Sequence, residues 1–243
     1  MTAGTAACAT AAIVASTYLP LTAVAVTVGV LCVAAAIGWP HLLGVPARKS
    51  QAAAIGVSAL LAVVLAATTQ DATPLAWFPA AVALGVGAVF LIQLVRGTGQ
   101  SHRLESILGA CAGVLVVTMG SGWVAVDRLA FDAADSGITL VTGVGVLAAI
   151  AVCLLPLPDR IVAPAAVVLA AVAGPLCGLL FTNVPALAAA VIGAGCGAVI
   201  AATRRLVVGR SAPLSWIAAI SAGVSPVLGL GAIIYFLDRL LLV

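Results

Sequence analysis

Apolar residues run along this chain in blocks of about twenty, and each block closes on a short polar or Pro/Gly-rich break. The blocks fall near 19–43, 50–68, 75–95, 104–130, 136–156, 161–181, 185–203 and 214–237. The breaks include Gly44 to Ser50, Thr69-Gln70-Asp71, Gly97 to Gln100, Asp132 to Asp135, Pro156 to Arg160, Thr182-Asn183 and Arg204 to Ser211. A helix needs roughly 20 apolar residues to cross about 30 Å of hydrocarbon. The pattern therefore predicts an all-α polytopic transmembrane bundle of about eight spans. Residues 3–17 are apolar too, but short for a crossing, and read as a lead-in or interfacial segment.

Composition removes the soluble alternative. The chain is 64% hydrophobic and 7% charged, with a mean hydropathy of +1.32, whereas a water-facing surface brings charged residues to roughly 25%. A net charge of +3 without a basic run argues against nucleic acid as a partner. Lys49 is the sole lysine, and Ala, Val and Gly dominate, as in proteins of GC-rich bacteria. The start lacks the basic stretch and cleavage site of a secretory signal, so the chain reads as uncleaved.

Charge also orients the spans. With the start of the first span outside, eight of the ten basic residues fall inside: Arg48, Lys49, Arg96, Arg103, Arg160, Arg204, Arg205 and Arg210. Only Arg128 and Arg239 stay outside, with Asp71, Asp127, Asp132, Asp135 and Asp238. Lys and Arg resist translocation, so this asymmetry points to a bacterial plasma membrane protein with both termini outside. A ninth crossing by residues 3–17 is the second solution.

The two halves share short matches in a common order. Thr27-Val-Gly-Val-Leu31 pairs with Gly143-Val-Gly-Val-Leu147, Gly85-Val-Gly-Ala-Val89 with Gly195-Cys-Gly-Ala-Val199, and Asp127-Arg-Leu129 with Asp238-Arg-Leu240. They predict an outer lead-in at 1–18 and two four-helix repeats, 19–130 and 131–243, of like orientation because four is even. The 25 glycines suit close helix packing, as in Gly109-x-x-x-Gly113, Gly174-x-x-x-Gly178 and Gly193-x-x-x-Gly197.

Candidate chemistry is sparse. No span carries an ionisable group near its middle, which argues against a proton-coupled carrier or pump. Nucleophile–base pairs and phosphate-binding loops are missing from the pattern, so no catalytic residue is assigned and an enzyme is not expected. The six cysteines are scattered singly, and His41 and His102 lack a second ligand at metal spacing, so neither metal nor cofactor is expected. The best local signal is a pair of interrupted helices. Thr118, Gly120 and Ser121 interrupt the fourth span, and Ser225 and Pro226 the eighth. Corresponding interruptions point to a substrate site, although ordinary kinks closed by Ser and Thr hydroxyls are the simpler explanation.

Asp127, Arg128, Asp238 and Arg239 lie at the outer ends of these two spans. They form a candidate rim for a lipid head group or a protein partner, or else ordinary snorkelling helix ends. Trp39, Trp77, Trp123 and Trp216 read as interfacial anchors, and Gln93 as a hydrogen-bonding tie to a neighbouring helix. Around the inner break, Ser101, His102, Arg103 and Glu105 suit a helix cap or a phosphate contact.

The stretches Gly38-Trp-Pro-His-Leu-Leu-Gly-Val-Pro46 and Ser121-Gly-Trp123 resemble uncharacterised multi-span membrane proteins of actinobacteria, labelled as permeases. The resemblance implies a bacterial plasma membrane and brings no binding residues. The leading expectation is a permease-like protein for an uncharged, amphipathic or lipid-linked substrate, such as a cell-envelope precursor. The alternative is a non-catalytic membrane subunit that scaffolds or regulates an envelope-building enzyme or transporter. Membrane lipids, and a protein partner in the membrane, are the expected company.

Overall fold

The computed structural model describes every residue except 45–47, 70–72, 96–102, 134–136, 210–213 and 242–243; at Arg103 and over 131–133 it describes backbone only. The expected polar loop around Ser101 and His102 thus lies outside the described residues, as does Arg210. Ten helices make up the described chain: α1 (Thr2–Ser16), α2 (Leu21–Leu43), α3 (Arg48–Thr68), α4 (Phe78–Val95), α5 (Arg103–Thr118), α6 (Ser121–Ala133), α7 (Gly137–Cys153), α8 (Asp159–Phe181), α9 (Ala186–Val208) and α10 (Trp216–Leu241). Seven spans are long and apolar enough to cross a membrane, with α5 and α6 counting together as one. The shorter apolar helices α1 and α7 accompany them, and the whole is a polytopic helical bundle.

Backbone chemistry explains the boundaries. Pro20, Pro158 and Pro185 immediately precede α2, α8 and α9 in extended geometry, where a missing N–H costs little. Gly44 closes α2 in the left-handed region, at φ 69°, and its N–H donates to the Pro40 carbonyl. The block near 161–181 suggests Pro164 as a helix start, but it is not one. Asp159 begins α8 one turn earlier, and Pro164 lies inside. The third span opens later than expected because Thr73 to Trp77 form turns, with the Ala76 N–H donating to Thr73 and the Phe78 N–H to Leu75.

The most buried helix is α10: 83% of its apolar window is covered, against 22% for α4 at the periphery. Around α10 pack α1, α2, α6 and α9. Hydrogen bonds between helices tie this centre. Trp39 Nε1 donates to the Gly109 carbonyl (2.9 Å), Trp123 Nε1 to Val227 (2.8 Å) and Ser221 Oγ to Ala35 (2.9 Å). The amides of Gln51 and Gln93 both donate to Ser106 Oγ, at 2.9 and 3.0 Å, joining α3, α4 and α5. Gln93 is thus an interhelical tie, as its position predicted.

Glycines let backbones touch within the chain. A Cβ at Gly193 would stand 2.1 Å from the Ala170 carbonyl oxygen, and one at Gly174 would stand 2.3 Å from that of Ala189. These positions seat α8 on α9, which uses both small-residue motifs for packing inside one molecule.

The apolar start is helix α1, and it is folded into the bundle against α7 and α10. Ala6, Ala9, Thr10, Ile13 and Ser16 recur at three- and four-residue spacing and form its buried stripe. Met1 borders Cys153, Pro156, Arg204 and Val208 at the C-terminal ends of α7 and α9. Leu241 packs by Val141, Val184 and Ala188 at the other end. The two chain ends therefore lie at opposite ends of the bundle. Helix α1 carries the start of the chain back to the end where Arg204 lies.

The halves differ in helix pairing. Among the described residues, α7 packs closely against α9 whereas α2 and α4 do not pack closely, and α3 packs on both α5 and α6 while α8 and α10 do not pack closely. The neighbour pattern therefore lends the proposed duplication no support.

Candidate functional site

The two interruptions predicted from sequence do meet. Between α5 and α6 the chain tightens by one turn. The Gly120 N–H donates to Val117 and the Trp123 N–H to Gly120, both at 3.1 Å, while Ser121 Oγ donates to the Thr118 carbonyl at 2.9 Å. Such three-residue bonds and a hydroxyl close the break without any ligand. Opposite it, α10 stays continuous through Pro226, with Ser225 Oγ donating to the Ser221 carbonyl.

The meeting surface is filled rather than hollow. A Cβ at Gly120 would stand 2.8 Å from Leu228 Cδ2 and 3.1 Å from Cys32 Sγ. Gly122 faces Gly231 backbone to backbone, with its added Cβ 2.2 Å from the Gly231 carbonyl carbon. Thr118, Gly120 and Ser121 are fully closed off, and the Thr118 hydroxyl has no hydrogen-bond partner. Trp123, expected at the interface, is buried instead, because the tightened turn aims it into the notch of Gly231. Trp77 and Trp216 are exposed, as anchors would be, and Trp39 is half-buried.

Pro226 has a second face. With α1, α7 and α9 it lines a cavity of about 390 Å³, within the size range of small-molecule pockets. The walls are chiefly apolar, from Ala6, Ile150, Ile200, Ala222 and Val207. Pro226 has no N–H, so the Ala222 carbonyl loses its donor one turn on, at the cavity wall. Thr2, Thr203 and Arg204 add polarity. Arg204 is ion-paired with Asp159, and its Nε donates to the Cys153 carbonyl at 3.0 Å, so the guanidinium is neutralised. Of the five residues first proposed as the site, only Pro226 borders this cavity; Thr118, Gly120, Ser121 and Ser225 do not. Thr203 and Arg204 straddle the expected end of the 185–203 span, and nothing local marks them as lining residues.

The rim residues sit where α6 and α10 end. Asp127 is buried, Arg128 Nη1 donates to the Ala66 carbonyl at 3.3 Å, and the Arg239 guanidinium stands 6.0 Å from the Tyr235 ring. Asp238 and Arg239 are half-buried beside them. Among the described residues, no group of three or more His, Cys, Asp or Glu gathers at metal-binding spacing.

No family model, no curated protein and no solved structure matches this chain.

Proposed function

We propose that the protein is a permease-like membrane protein for an uncharged amphipathic substrate, held in the cavity between α1, α7, α9 and α10. The observations that support this reading are the cavity's apolar walls, the Ala222 carbonyl to which Pro226 has no N–H to donate, and a basic side chain, Arg204, already neutralised by Asp159. An apolar body gains roughly 25 cal/mol per Å² on leaving water, and the Ala222 carbonyl and Thr203 hydroxyl would orient a neutral polar head. A charged head would find no unpaired countercharge at Arg204. We place the basic end in the cytoplasm, because Arg48, Lys49, Arg160, Arg204 and Arg205 cluster there, and Met1 goes with it.

The test uses proteoliposomes carrying a nitrobenzoxadiazole-labelled monoacylglycerol, quenched from outside by dithionite. With wild-type protein the quench should exceed the outer-leaflet fraction seen in empty vesicles. Ala222→Leu, whose side chain fills the cavity, should return it to the empty-vesicle level. Equal quenching with and without protein would sink the proposal.

A further inference from the structure

A second site lies on the outside of the bundle, away from the cavity. Helices α2 and α3 diverge enough to leave a groove of about 440 Å³, bordered by Val33, Ile37, Gly56 and Leu60 and closed at the basic end by His41, Arg48 and Lys49. A second hollow of about 510 Å³ continues it toward Thr68 and shares Val33 and Leu60 as walls. Glycine leaves room between the two helices. Gly29 and Gly56 carry no side chain, and a Cβ at either would sit 3.5 Å from the facing helix, at Leu60 and Ala36 respectively. Its flanks are large and outward-facing: Val30, Ile37, Val57 and Val64 are exposed apolar residues on two membrane-spanning helices.

The charged end sets two adjacent basic side chains at the mouth of the groove. Arg204 has Asp159, and Arg239 has Tyr235. Arg48 and Lys49 have no acidic partner among the described residues, and both are exposed at the first turn of α3. That turn is also the positive end of the helix dipole. Two free cations, a histidine and a helix start thus meet at the mouth of an apolar channel. From His41 to Val33 the channel follows α2 for about 12 Å, close to the roughly 15 Å depth of one hydrocarbon leaflet.

We propose that this groove binds one anionic phospholipid, with its phosphate at Arg48 and Lys49 and an acyl chain laid between α2 and α3 past Gly56. Positive-inside orientation alone would place cations here, but it would not require a channel leading from them. Clusters of Lys and Arg at a helix pair recognise anionic head groups through the same charge complementarity.

Native mass spectrometry of the purified full chain, in detergent micelles doped with phosphatidylglycerol or phosphatidylcholine, tests the site. Phosphatidylglycerol should be retained one per chain in preference to phosphatidylcholine. Arg48→Gln with Lys49→Gln should reduce that retention about tenfold. Gly56→Leu, which keeps both cations and fills the channel, should also lower it. Inorganic phosphate at millimolar concentration should not displace the lipid, since it cannot occupy the channel. Retention unchanged in the double charge variant, unchanged in Gly56→Leu, or abolished by inorganic phosphate would each overturn the proposal. Should Gly56→Leu fail to accumulate, Val33→Trp fills the channel from the α2 side.

Discussion

Replacing Gly122 by Ala should be far more damaging than one methyl group suggests. The added Cβ would stand 2.2 Å from the Gly231 carbonyl carbon, 2.3 Å from the Ala232 nitrogen and 2.4 Å from the Gly231 oxygen. All three are backbone atoms of a helix that cannot rotate away. To reach ordinary contact near 3.4 Å, α6 and α10 must part by about 1.2 Å. Overpacking of this kind costs about 1–3 kcal/mol. The separation also stretches the Trp123–Val227 hydrogen bond from 2.8 Å past bonding range, at a further net cost of about 1 kcal/mol. The two effects together come to about 2–4 kcal/mol.

For a chain of this length each kcal/mol is about 2–4 °C of Tm, which predicts a drop of roughly 4–16 °C. The assay is thermal unfolding of the purified protein in detergent, followed by size-exclusion recovery. Gly87→Ala and Gly195→Ala are the controls, since a Cβ at either meets nothing within 4 Å. There the helix propensity gained, about 0.5–1 kcal/mol, should leave Tm equal or slightly higher. Gly122→Ala melting within 2 °C of wild type, or the controls falling equally far, would refute the reasoning.

Two further outcomes follow from the polar ties. Ser106→Ala removes the acceptor shared by the Gln51 and Gln93 amides and should cost about 1–3 kcal/mol, because two buried donors lose a partner. Adding Gln51→Leu and Gln93→Leu should recover part of that loss in the same thermal assay. By contrast, Asp159→Asn should change stability by less than about 1 kcal/mol, since the pair with Arg204 is partly exposed, at 21% and 38%.

How far the fold was readable follows from which forces act locally. Twenty-residue apolar blocks and Pro or Gly punctuation are local, and they placed α2, α3, α8 and α9 to within a few residues. α9 ran on through Arg204 and Arg205 because charged ends of a helix reach out of the apolar layer without breaking it. α1 was not legible as part of the bundle. Its 15 residues span only about 22 Å, and it contains no Lys or Arg. Orientation by charge therefore gives the same answer whether or not α1 crosses. Only its packing against Gly143 and Gly223 returns Met1 to the basic end. At Gly223 an added Cβ would be 2.0 Å from Thr5 Oγ1.

The site was half legible. Pro226 and the paired interruptions were visible as irregular backbone, but sequence could not say that Leu228 and Cys32 fill one face of α10 while α1 leaves the other hollow. Trp123 misled for the same reason. A tryptophan near a span end resembles an anchor until the turn at Met119-Gly120 rotates it inward.

The central claim is that the cavity beside Pro226 holds an uncharged amphipath. Its most direct test is mass spectrometry of the small molecules retained when wild type and Ala222→Leu are purified in mild detergent from the native membrane. The account predicts one uncharged amphipathic species, near one per chain, in wild type and its loss in Ala222→Leu. An empty wild-type protein that copurifies instead with a stoichiometric protein partner, or equal retention in both proteins, would contradict it.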